Sequence, residues 1–373
     1  VLQEMAAEKG YLAGVAPADP SPSADRLRTW LASGMHGEMA WMEKDPQRRT
    51  NPGTVVPGAR SQIAFSTSYR GEEPLPDDVV AGELRGRVAR YAWNRDYHDV
   101  LTRELREISA RLDAEAGVEG NRTWVDTGPV LERDVAARAG LGFASKNTNL
   151  IRPGEGSFLF LGATVTRAEL PPTPSAHRPG CGSCQICLDA CPTKAIVAPN
   201  VVDARLCISY LTIELKGPIP RHLRRAVGDW IFGCDICQDV CPFNAIPRPR
   251  ARREFRAPSR EDMAPSLLTL LALDEDRFRA RFRGTPLARP KRRGILRNVA
   301  VALGNHRDPR AIHGLVNALS DVEPLVRGHA AWALGEIDDA SARGVLDAAR
   351  SREPDAYVRE EIEAALSSGA GRP

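Results

Sequence analysis

All eight cysteines of this 373-residue chain lie between Cys181 and Cys241. They form a Cys-x2-Cys-x2-Cys-x3-Cys-Pro group, then one separate cysteine, then a Cys-x2-Cys-x3-Cys-Pro group. In two-cluster ferredoxins, three closely spaced thiolates hold one [4Fe–4S] cluster, and the cysteine before proline ligates the other cluster. The pattern therefore predicts two clusters, one held by Cys181, Cys184, Cys187 and Cys241, and a second held by Cys191, Cys207, Cys234 and Cys237.

Zinc sites and disulfide bonds are the two other structures that closely spaced cysteines form. Zinc knuckles use Cys-x2-Cys pairs, but they need neither a third cysteine at that spacing nor a ligand before proline. Disulfides belong to oxidising compartments, and every cysteine here already has a place in the cluster pattern. We therefore favour the clusters, which carry electrons one at a time, and we expect a protein of the reducing cytoplasm.

The chain is much longer than a ferredoxin requires, and its length allows two or three domains. Its composition, 42% hydrophobic and 27% charged, is that of a globular protein, and no apolar run approaches the length of a membrane span. No secretory signal pattern is present. Because the sequence starts at Val1 and not at methionine, we expect a few native residues to precede it.

Positive charge is concentrated in one part of the chain, which we call the basic segment, residues 248–297. The chain has a net charge of only +3, but this segment contains fifteen Arg or Lys against six Asp or Glu, so the remainder is acidic. Phe278 and Phe282 are interleaved among arginines, and this combination favours a polyanion-binding surface. A solvated linker face is the alternative.

Three domains are predicted along the chain. Residues 1–170 alternate helical and β-rich stretches, which favours an α/β or α+β domain. Strands are predicted at 61–69 and 157–166, and a helix is predicted at 99–114 because Leu101, Leu105, Ile108 and Leu112 share one face. A proline-rich linker at 170–174 leads into a ferredoxin-like cluster domain, residues 171–250. Residues 251–373 complete the basic segment and contain a repeat.

The repeat consists of helical units about 31 to 32 residues apart. The run RNVAVALG at 297–304 returns as RGHAAWALG at 327–335 and, more weakly, as REEIEAAL at 359–366. Small residues on an apolar face at this period are typical of HEAT-like repeats, whose concave faces bind extended partners. Structural capping of the cluster domain is the alternative, but the adjacent basic segment favours nucleic-acid binding.

Two segments of the N-terminal domain contain groups suited to catalysis. Asp126 lies at the end of a short predicted strand, before a turn and an alanine-rich helix, where burial would raise its pKa toward that of a proton donor. By itself, an Asp-Thr-Gly sequence more often forms a turn. The second segment, residues 91–98, is dense in aromatic and polar groups and includes Tyr97 and His98, although a packed loop would also explain it.

Several of these motifs together resemble the epoxyqueuosine reductase family. They are DTGPVLER at 126–133 followed by AGLG at 139–142, RDYH at 95–98, the cysteine pattern, CISYLTIE at 207–214 and the C-terminal repeats. The resemblance covers essentially the whole chain. It implies an α+β protein with an α/β-type cobalamin-binding domain similar to that of reductive dehalogenases, a ferredoxin-like domain with two [4Fe–4S] clusters, and HEAT-like repeats. The implied reaction removes the epoxide oxygen of epoxyqueuosine in the anticodon loop of tRNA and gives queuosine.

The resemblance also implies roles for individual residues. Asp126 takes the position of the family's proton donor and lines the cobalamin pocket. The other residues implied in the cobalamin and substrate pocket are Arg49, Tyr91, Tyr97, His98, Lys146, Asn147, Ser209, Ile213 and Lys216. The last three belong to a segment inserted after Cys207, which would reach across the corrin. The implied partners are tRNA and an external electron donor, and we expect a monomer that is not bound to a membrane.

Two other functions fit part of the sequence. A cobalamin enzyme of the reductive dehalogenase type would act on a small organic molecule, and it would need neither the basic segment nor the repeats. A non-catalytic scaffold for electron transfer or RNA binding would account for the clusters and the repeats. Such a scaffold leaves Asp126 and the Tyr97-His98 pair unexplained.

Overall fold

The computed structural model describes residues 1–71, 73–174, 180–245 and 251–368 of the chain, which forms two compact units. The first unit comprises Val1–Gly71, Arg95–Arg205 and Asp235–Arg256, and the second unit comprises Glu72–Asn94, Leu206–Cys234 and Ala257–Pro373. These units do not follow the three predicted domains, because the predicted N-terminal and cluster domains each contribute residues to both units. The three-domain division therefore stays a prediction.

In the described ranges the β-strands are β1 (Leu12–Pro17), β2 (Ser61–Ser68), β3 (Arg87–Val88), β4 (Arg122–Trp124), β5 (Phe143–Ala144), β6 (Leu150–Ile151), β7 (Leu159–Thr166), β8 (Ile196–Ala198), β9 (Val201–Val202) and β10 (Trp230–Phe232). The α-helices are α1 (Leu2–Glu8), α2 (Ala24–Ala32), α3 (Pro46–Thr50), α4 (Asp77–Gly82), α5 (Tyr97–Ala116), α6 (Glu132–Arg138), α7 (Ile186–Ala190), α8 (Ile208–Ile213), α9 (Arg221–Val227), α10 (Ile236–Asp239), α11 (Arg260–Met263), α12 (Leu267–Leu271), α13 (Glu275–Phe282), α14 (Lys291–His306), α15 (Ile312–Ala318), α16 (Pro324–Ile337), α17 (Ala340–Arg350) and α18 (Ala356–Ser368). Among these described helices, none combines the length and the apolar character that crossing a membrane requires.

A four-stranded antiparallel sheet with the order β1-β2-β7-β4 forms the centre of the first unit. The register of β2 and β7 runs from Ser61 opposite Thr166 to Ser68 opposite Leu159. α6 packs against β2 and β7, and α5 packs against β7 and β4. The strands predicted at 61–69 and 157–166 are confirmed, because both runs are apolar enough to form buried strands.

The predicted helix at 99–114 is confirmed as α5, which has clear capping residues at both ends. At its start the carboxylate of Asp96 accepts a hydrogen bond from the backbone N–H of His98. At its end Gly117 adopts a left-handed conformation with φ of 61°. Leu101 and Ile108 are fully buried, so the helix turns its predicted apolar face to the core.

Gly14 allows strand β1 to approach the end of helix α6 closely. A Cβ atom at this position would lie 2.1 Å from the backbone oxygen of Ala139. No side chain fits at that distance, so glycine is a packing requirement of the sheet at this point.

Three long helices of the second unit correspond to the predicted repeats. α14, α16 and α18 pack in succession, and the shorter α15 and α17 lie against α16. In the first two repeats, the glycine at the end of the apolar run lets the helix closely approach its neighbour. A Cβ atom at Gly304 would lie 2.6 Å from the ring of Trp332, and one at Gly335 would lie 2.7 Å from the Cβ of Ala365. The repeated Leu-Gly pair therefore marks helix contacts, and the predicted HEAT-like architecture is confirmed.

The aromatic residues of the basic segment do not line a polyanion-binding surface. Phe278 and Phe282 are both buried on α13, and their ring centroids lie 5.0 Å apart. Residues four apart share one face of a helix, and this face of α13 packs into the unit. This part of the sequence interpretation is therefore wrong. The alternation of phenylalanine with arginine along the chain does not show which face of the helix is buried.

Several arginines of the basic segment form ion pairs within their own unit. Arg252 donates to Glu104 in the first unit, with 2.8 Å between Nη2 and Oε1, and Arg292 pairs with Asp321 in the second. Both arginines are mostly buried. Residues 248–250, at the start of the segment, lie outside the described residues. The charge count of the segment therefore overstates the positive charge that is free to meet a partner.

Candidate redox active site

The loop between β4 and α6 presents Asp126. This aspartate adopts a left-handed backbone conformation with φ of 54°, which is uncommon for a residue other than glycine and clusters at functional sites. The turn is tight, because a Cβ atom at Gly128 would lie 2.2 Å from the ring of Trp124. The Asp126 side chain is 57% exposed. The loop therefore holds this carboxylate out into the site, and the buried environment expected for it from the sequence is not present.

Tyr97 and His98, the first two residues of α5, both face Asp126. The hydroxyl of Tyr97 donates a hydrogen bond to Oδ2 of Asp126. Nε2 of His98 lies 3.7 Å from the same oxygen, while its Nδ1 lies 2.7 Å from a carboxylate oxygen of Asp96. A carboxylate at Nδ1 favours the tautomer with the proton on that nitrogen. The helix start thus brings a phenol and an imidazole to one carboxylate, and the family resemblance had implied all three residues in one pocket.

Glu132, at the start of α6, is the enclosed carboxyl of this loop. Burial raises its pKa, the negative charge of Asp126 raises it further, and the resulting value is about 8. Its Oε1 has no hydrogen-bond partner among the described residues. Glu132 therefore keeps its proton at neutral pH. The sequence interpretation missed this role, because nothing in the run of residues distinguishes an enclosed helix-start glutamate from an exposed one.

Arg49 supports the same loop from α3. Its Nη1 donates to the backbone oxygen of Gly128 at 3.2 Å, and its Nη2 donates to the backbone oxygen of Trp41 at 3.1 Å. Burial lowers the pKa of Arg49. The guanidinium therefore fixes the backbone two residues beyond Asp126.

Four of the predicted cluster ligands form one group in the first unit. Burial raises the pKa of Cys187, and the sulfurs of Cys241 and Cys181 raise it further. The pKa of Cys241 is likewise raised by burial and by the sulfurs of Cys181 and Cys184. Cys181 also packs against the buried cluster that contains Cys241. The assignment of these four cysteines to one [4Fe–4S] cluster stays a prediction.

The ligands predicted for the second cluster are divided between the units. Cys191 and Cys237 belong to the first unit, and Cys207 and Cys234 belong to the second. The sulfur of Cys191 accepts a hydrogen bond from the backbone N–H of Ala195 at 3.3 Å. Hydrogen bonds from backbone N–H groups to sulfur tune iron–sulfur clusters. This contact therefore suits the predicted role of Cys191 as a cluster ligand.

Two further predicted pocket residues hold the backbone of the cysteine loops. Nζ of Lys146 donates to the backbone oxygens of Gly182 at 2.7 Å and Cys184 at 2.9 Å. Nδ2 of Asn147, a buried residue, donates to the backbone oxygen of Cys237 at 3.0 Å. Both side chains therefore act on the cluster loops, and their predicted contact with cobalamin stays a prediction.

The remaining predicted pocket residues lie in the second unit. They are Tyr91, Ser209, Ile213 and Lys216. The ring of Tyr91 lies 5.9 Å from that of Phe232, between centroids, and Lys216 is exposed on the segment after α8. The backbone oxygen of Ser209, inside α8, accepts a hydrogen bond from the Thr212 hydroxyl at 3.3 Å.

Three family models match separate parts of the chain. Residues 180–244 match the "4Fe-4S double cluster binding domain", residues 49–127 match "Epoxyqueuosine reductase QueG, DUF1730", and residues 289–367 match "HEAT repeats". The cluster interpretation of the cysteines is thereby confirmed over zinc sites and disulfides. Fold and site together define a redox enzyme that carries an iron–sulfur double-cluster domain and a helical repeat region.

Relatives of known name give the family. The epoxyqueuosine reductase of Xanthomonas campestris pv. campestris is 40% identical over 340 residues, which are 90% of this chain and 95% of that protein. The epoxyqueuosine reductase of Alicycliphilus denitrificans is 41% identical over 354 residues, 90% of this chain and 97% of that protein. The chain therefore belongs to the epoxyqueuosine reductase family, and the resemblance seen in its motifs is confirmed.

Solved structures of the same family have the same fold. A crystal structure of epoxyqueuosine reductase with an epoxyqueuosine-modified tRNA-Tyr stem loop matches with a TM-score of 0.92 and 34% identity, covering 99% of this chain and 98% of that one. The Bacillus subtilis epoxyqueuosine reductase, in a structure with its catalytic aspartate loop swung out of the active site, matches with a TM-score of 0.89 and 34% identity, covering 98% and 97%.

Proposed function

We propose that this protein reduces epoxyqueuosine to queuosine in the anticodon loop of tRNA, using cobalamin and two [4Fe–4S] clusters. The observation that carries the proposal is the convergence of Tyr97 and His98 on the exposed carboxylate of Asp126, in a chain that also has the double-cluster domain. The names of the relatives and the stem-loop-bound neighbour support the same reaction and the same substrate.

The polar atoms of the site fit a bound cobalamin. Nε of Arg49 and Nε2 of His98 are buried and have no hydrogen-bond partner among the described residues. Buried polar atoms normally have a partner, and the amide-bearing rim of a corrin supplies many. We propose that these two residues contact it together with Tyr97 and Asp126, and that the other residues implied by the family resemblance complete the cobalamin and substrate pocket. When bound, cobalamin supplies a redox-active cobalt that takes electrons from the clusters.

The reaction consumes two electrons and two protons, converting the epoxide to an alkene and releasing its oxygen as water. Opening the three-membered ring places negative charge on oxygen, and Asp126, in its protonated form, donates a proton to that oxygen as the charge forms. The Tyr97 hydroxyl holds the Asp126 carboxyl in position. It also carries an exchangeable proton beside Asp126, so it can return a proton to Asp126 for the second transfer.

Three cations of the second unit are candidates for the tRNA phosphates. Arg283, Lys291 and Arg293 lie in the basic segment, outside every ion pair formed by the described residues, and each is at least partly exposed. Free surface cations are the groups that bind phosphate backbones. We further propose a cytoplasmic monomer that receives electrons from an external donor, because its substrate and its thiolate-ligated clusters both belong in that compartment.

Replacing Asp126 with asparagine tests the proposal. Asn keeps the size and the left-handed backbone preference of aspartate, but it cannot donate a carboxylic proton. We expect Asp126→Asn to bind cobalamin and tRNA normally and to convert epoxyqueuosine-containing tRNA at least about 10²-fold more slowly in single turnovers with pre-reduced enzyme.

The matched control is Asp338→Asn, since Asp338 is also left-handed, with φ of 58°, and lies at the end of α16 in the repeats. The control should react as the unaltered enzyme does. Normal conversion by Asp126→Asn would reassign the proton donor to Tyr97 or His98. Failure of the unaltered protein to take up cobalamin, followed by its absorption spectrum, would contradict the cofactor assignment.

A further inference from the structure

Helix α14, the first helix of the repeats, carries two polar residues at its buried centre. Arg297 and Asn298 are both 0% exposed. Burying an arginine and an amide is costly unless every polar atom finds a partner. The partners of these two side chains therefore show what the helix holds in place.

Asn298 joins two segments that each contain a predicted ligand of the second cluster. Its Nδ2 donates to the backbone oxygens of Thr212, in α8, and Ile231, in β10, both at 2.8 Å. α8 begins immediately after Cys207, and β10 ends two residues before Cys234. One amide group of the repeat region thus spans the elements that lead to both cysteines.

The hydroxyl of Thr212 brings this connection next to the cysteines themselves. It donates to the backbone oxygen of Ile208 at 2.8 Å and accepts from the backbone N–H of Gly233 at 2.9 Å. Ile208 directly follows Cys207, and Gly233 directly precedes Cys234. The chain of hydrogen bonds therefore runs from the neighbour of one ligand, through Thr212, to the neighbour of the other.

Arg297 secures the far end of α8. Its guanidinium donates to the backbone oxygens of Leu211 at 2.6 Å and of Leu215 and Gly217 at 2.7 Å, and its Nε donates to Oδ1 of Asn298 at 3.0 Å. The last carbonyls of a helix lack partners within the helix, and a cation at that end is favourable. Arg297 thus fixes α8 and orients the Asn298 amide at the same time.

We propose that Asn298 and Thr212 are positioning residues for the second cluster, through which the repeat region sets the placement of Cys207 and Cys234. The properties of an iron–sulfur cluster depend on the hydrogen bonds and solvent exposure around its sulfurs, and outer contacts orient the ligands. A change at the centre of α14 therefore reaches the second cluster and leaves the first cluster unaffected. This inference depends on the two-cluster assignment in the proposed function.

A matched pair of substitutions on α14 tests it. Asn298→Ala removes two hydrogen bonds to backbone oxygens of the cysteine-bearing segments. Asn305→Ala also removes two, because Nδ2 of Asn305 donates at 2.8 Å to the backbone oxygens of Arg224 and Gly228, which flank no cysteine. Both proteins are purified anaerobically as holoproteins, and iron content, electron paramagnetic resonance and the midpoint potential of each cluster are measured.

We expect Asn298→Ala to shift the potential and the signal of one cluster, or to lower the iron content from about eight to about four atoms per chain, while Asn305→Ala keeps both clusters. If Asn298→Ala does not fold, Thr212→Val and Thr212→Ser replace it. Valine removes the hydroxyl and should reproduce the effect, and serine retains the hydroxyl and should not. Equal effects of the two asparagine substitutions on the clusters, or no effect of either, would overturn this inference but not the proposed function. An unaltered protein without clusters would overturn the proposed function as well.

Discussion

The enclosed carboxyl of Glu132 makes the stability of this protein depend on pH in a way that one substitution should abolish. Burial and the charge of Asp126 raise the pKa of Glu132 to about 8, from an ordinary value of 4.5. A carboxyl whose pKa is raised by folding contributes most to stability below its unfolded pKa, and that contribution is lost as pH rises through the folded pKa. Glu132→Gln keeps the shape of the protonated group and cannot ionise.

The size of the effect follows from the two pKa values. Between pH 6 and pH 9 the cost of keeping Glu132 in the folded protein rises by about 3 kcal/mol, from about 2 to about 5, because each pKa unit corresponds to about 1.4 kcal/mol. For a chain of this length such a change corresponds to about 3–4 °C in midpoint temperature. Glu132→Gln should therefore gain stability relative to the unaltered protein as pH rises from 6 to 9, and most of the gain should come before pH 8.

Thermal unfolding of anaerobically purified protein, followed by circular dichroism at pH 6, 7, 8 and 9, measures this difference. Glu115→Gln, at an exposed position on α5, is the control and should follow the unaltered protein at every pH. Parallel curves for Glu132→Gln and the unaltered protein would show that Glu132 ionises normally in the folded state. If the midpoint temperature of Glu115→Gln also rises relative to that of the unaltered protein as pH increases, the effect comes from net charge and not from the burial of Glu132.

Three further predictions concern the clusters, the tRNA surface and the core. Cys191 lies in the first cysteine motif, but Cys191→Ala should damage the cluster held mainly by the second motif. Electron paramagnetic resonance spectra in which that cluster is intact would contradict the predicted cross-ligation. Reversing the charges of Arg283, Lys291 and Arg293 together should weaken tRNA binding and flatten its salt dependence, which a titration across a salt series measures. Gly14→Ala should lower the stability by at least about 1–3 kcal/mol in chemical denaturation, because a backbone oxygen would lie 2.1 Å from the new methyl group.

Local pattern and spacing along the chain were sufficient to predict much of the fold of this protein. The cysteine spacing identified the double-cluster domain, alternation and helical periodicity identified β2 and α5, and recurrence identified the repeats. Each of these depends on covalent spacing or on one periodic apolar face, which a sequence shows directly. The meeting of Asp126 with the Tyr97-His98 pair was suggested only by family motifs, since no local rule brings those segments together.

Other properties were decided by tertiary structure alone. The basic segment has a large excess of positive charge in the sequence, yet Arg252 is paired with Glu104, which lies 148 residues away along the chain. The pKa of Glu132 depends on burial. The Asn298 amide donates to the backbone oxygens of Thr212 and Ile231, which belong to distant segments of the chain. A sequence states which charges and amides are present and how they are spaced. Burial and distant partners set their pKa values and hydrogen bonds, and both arise only when the chain has folded.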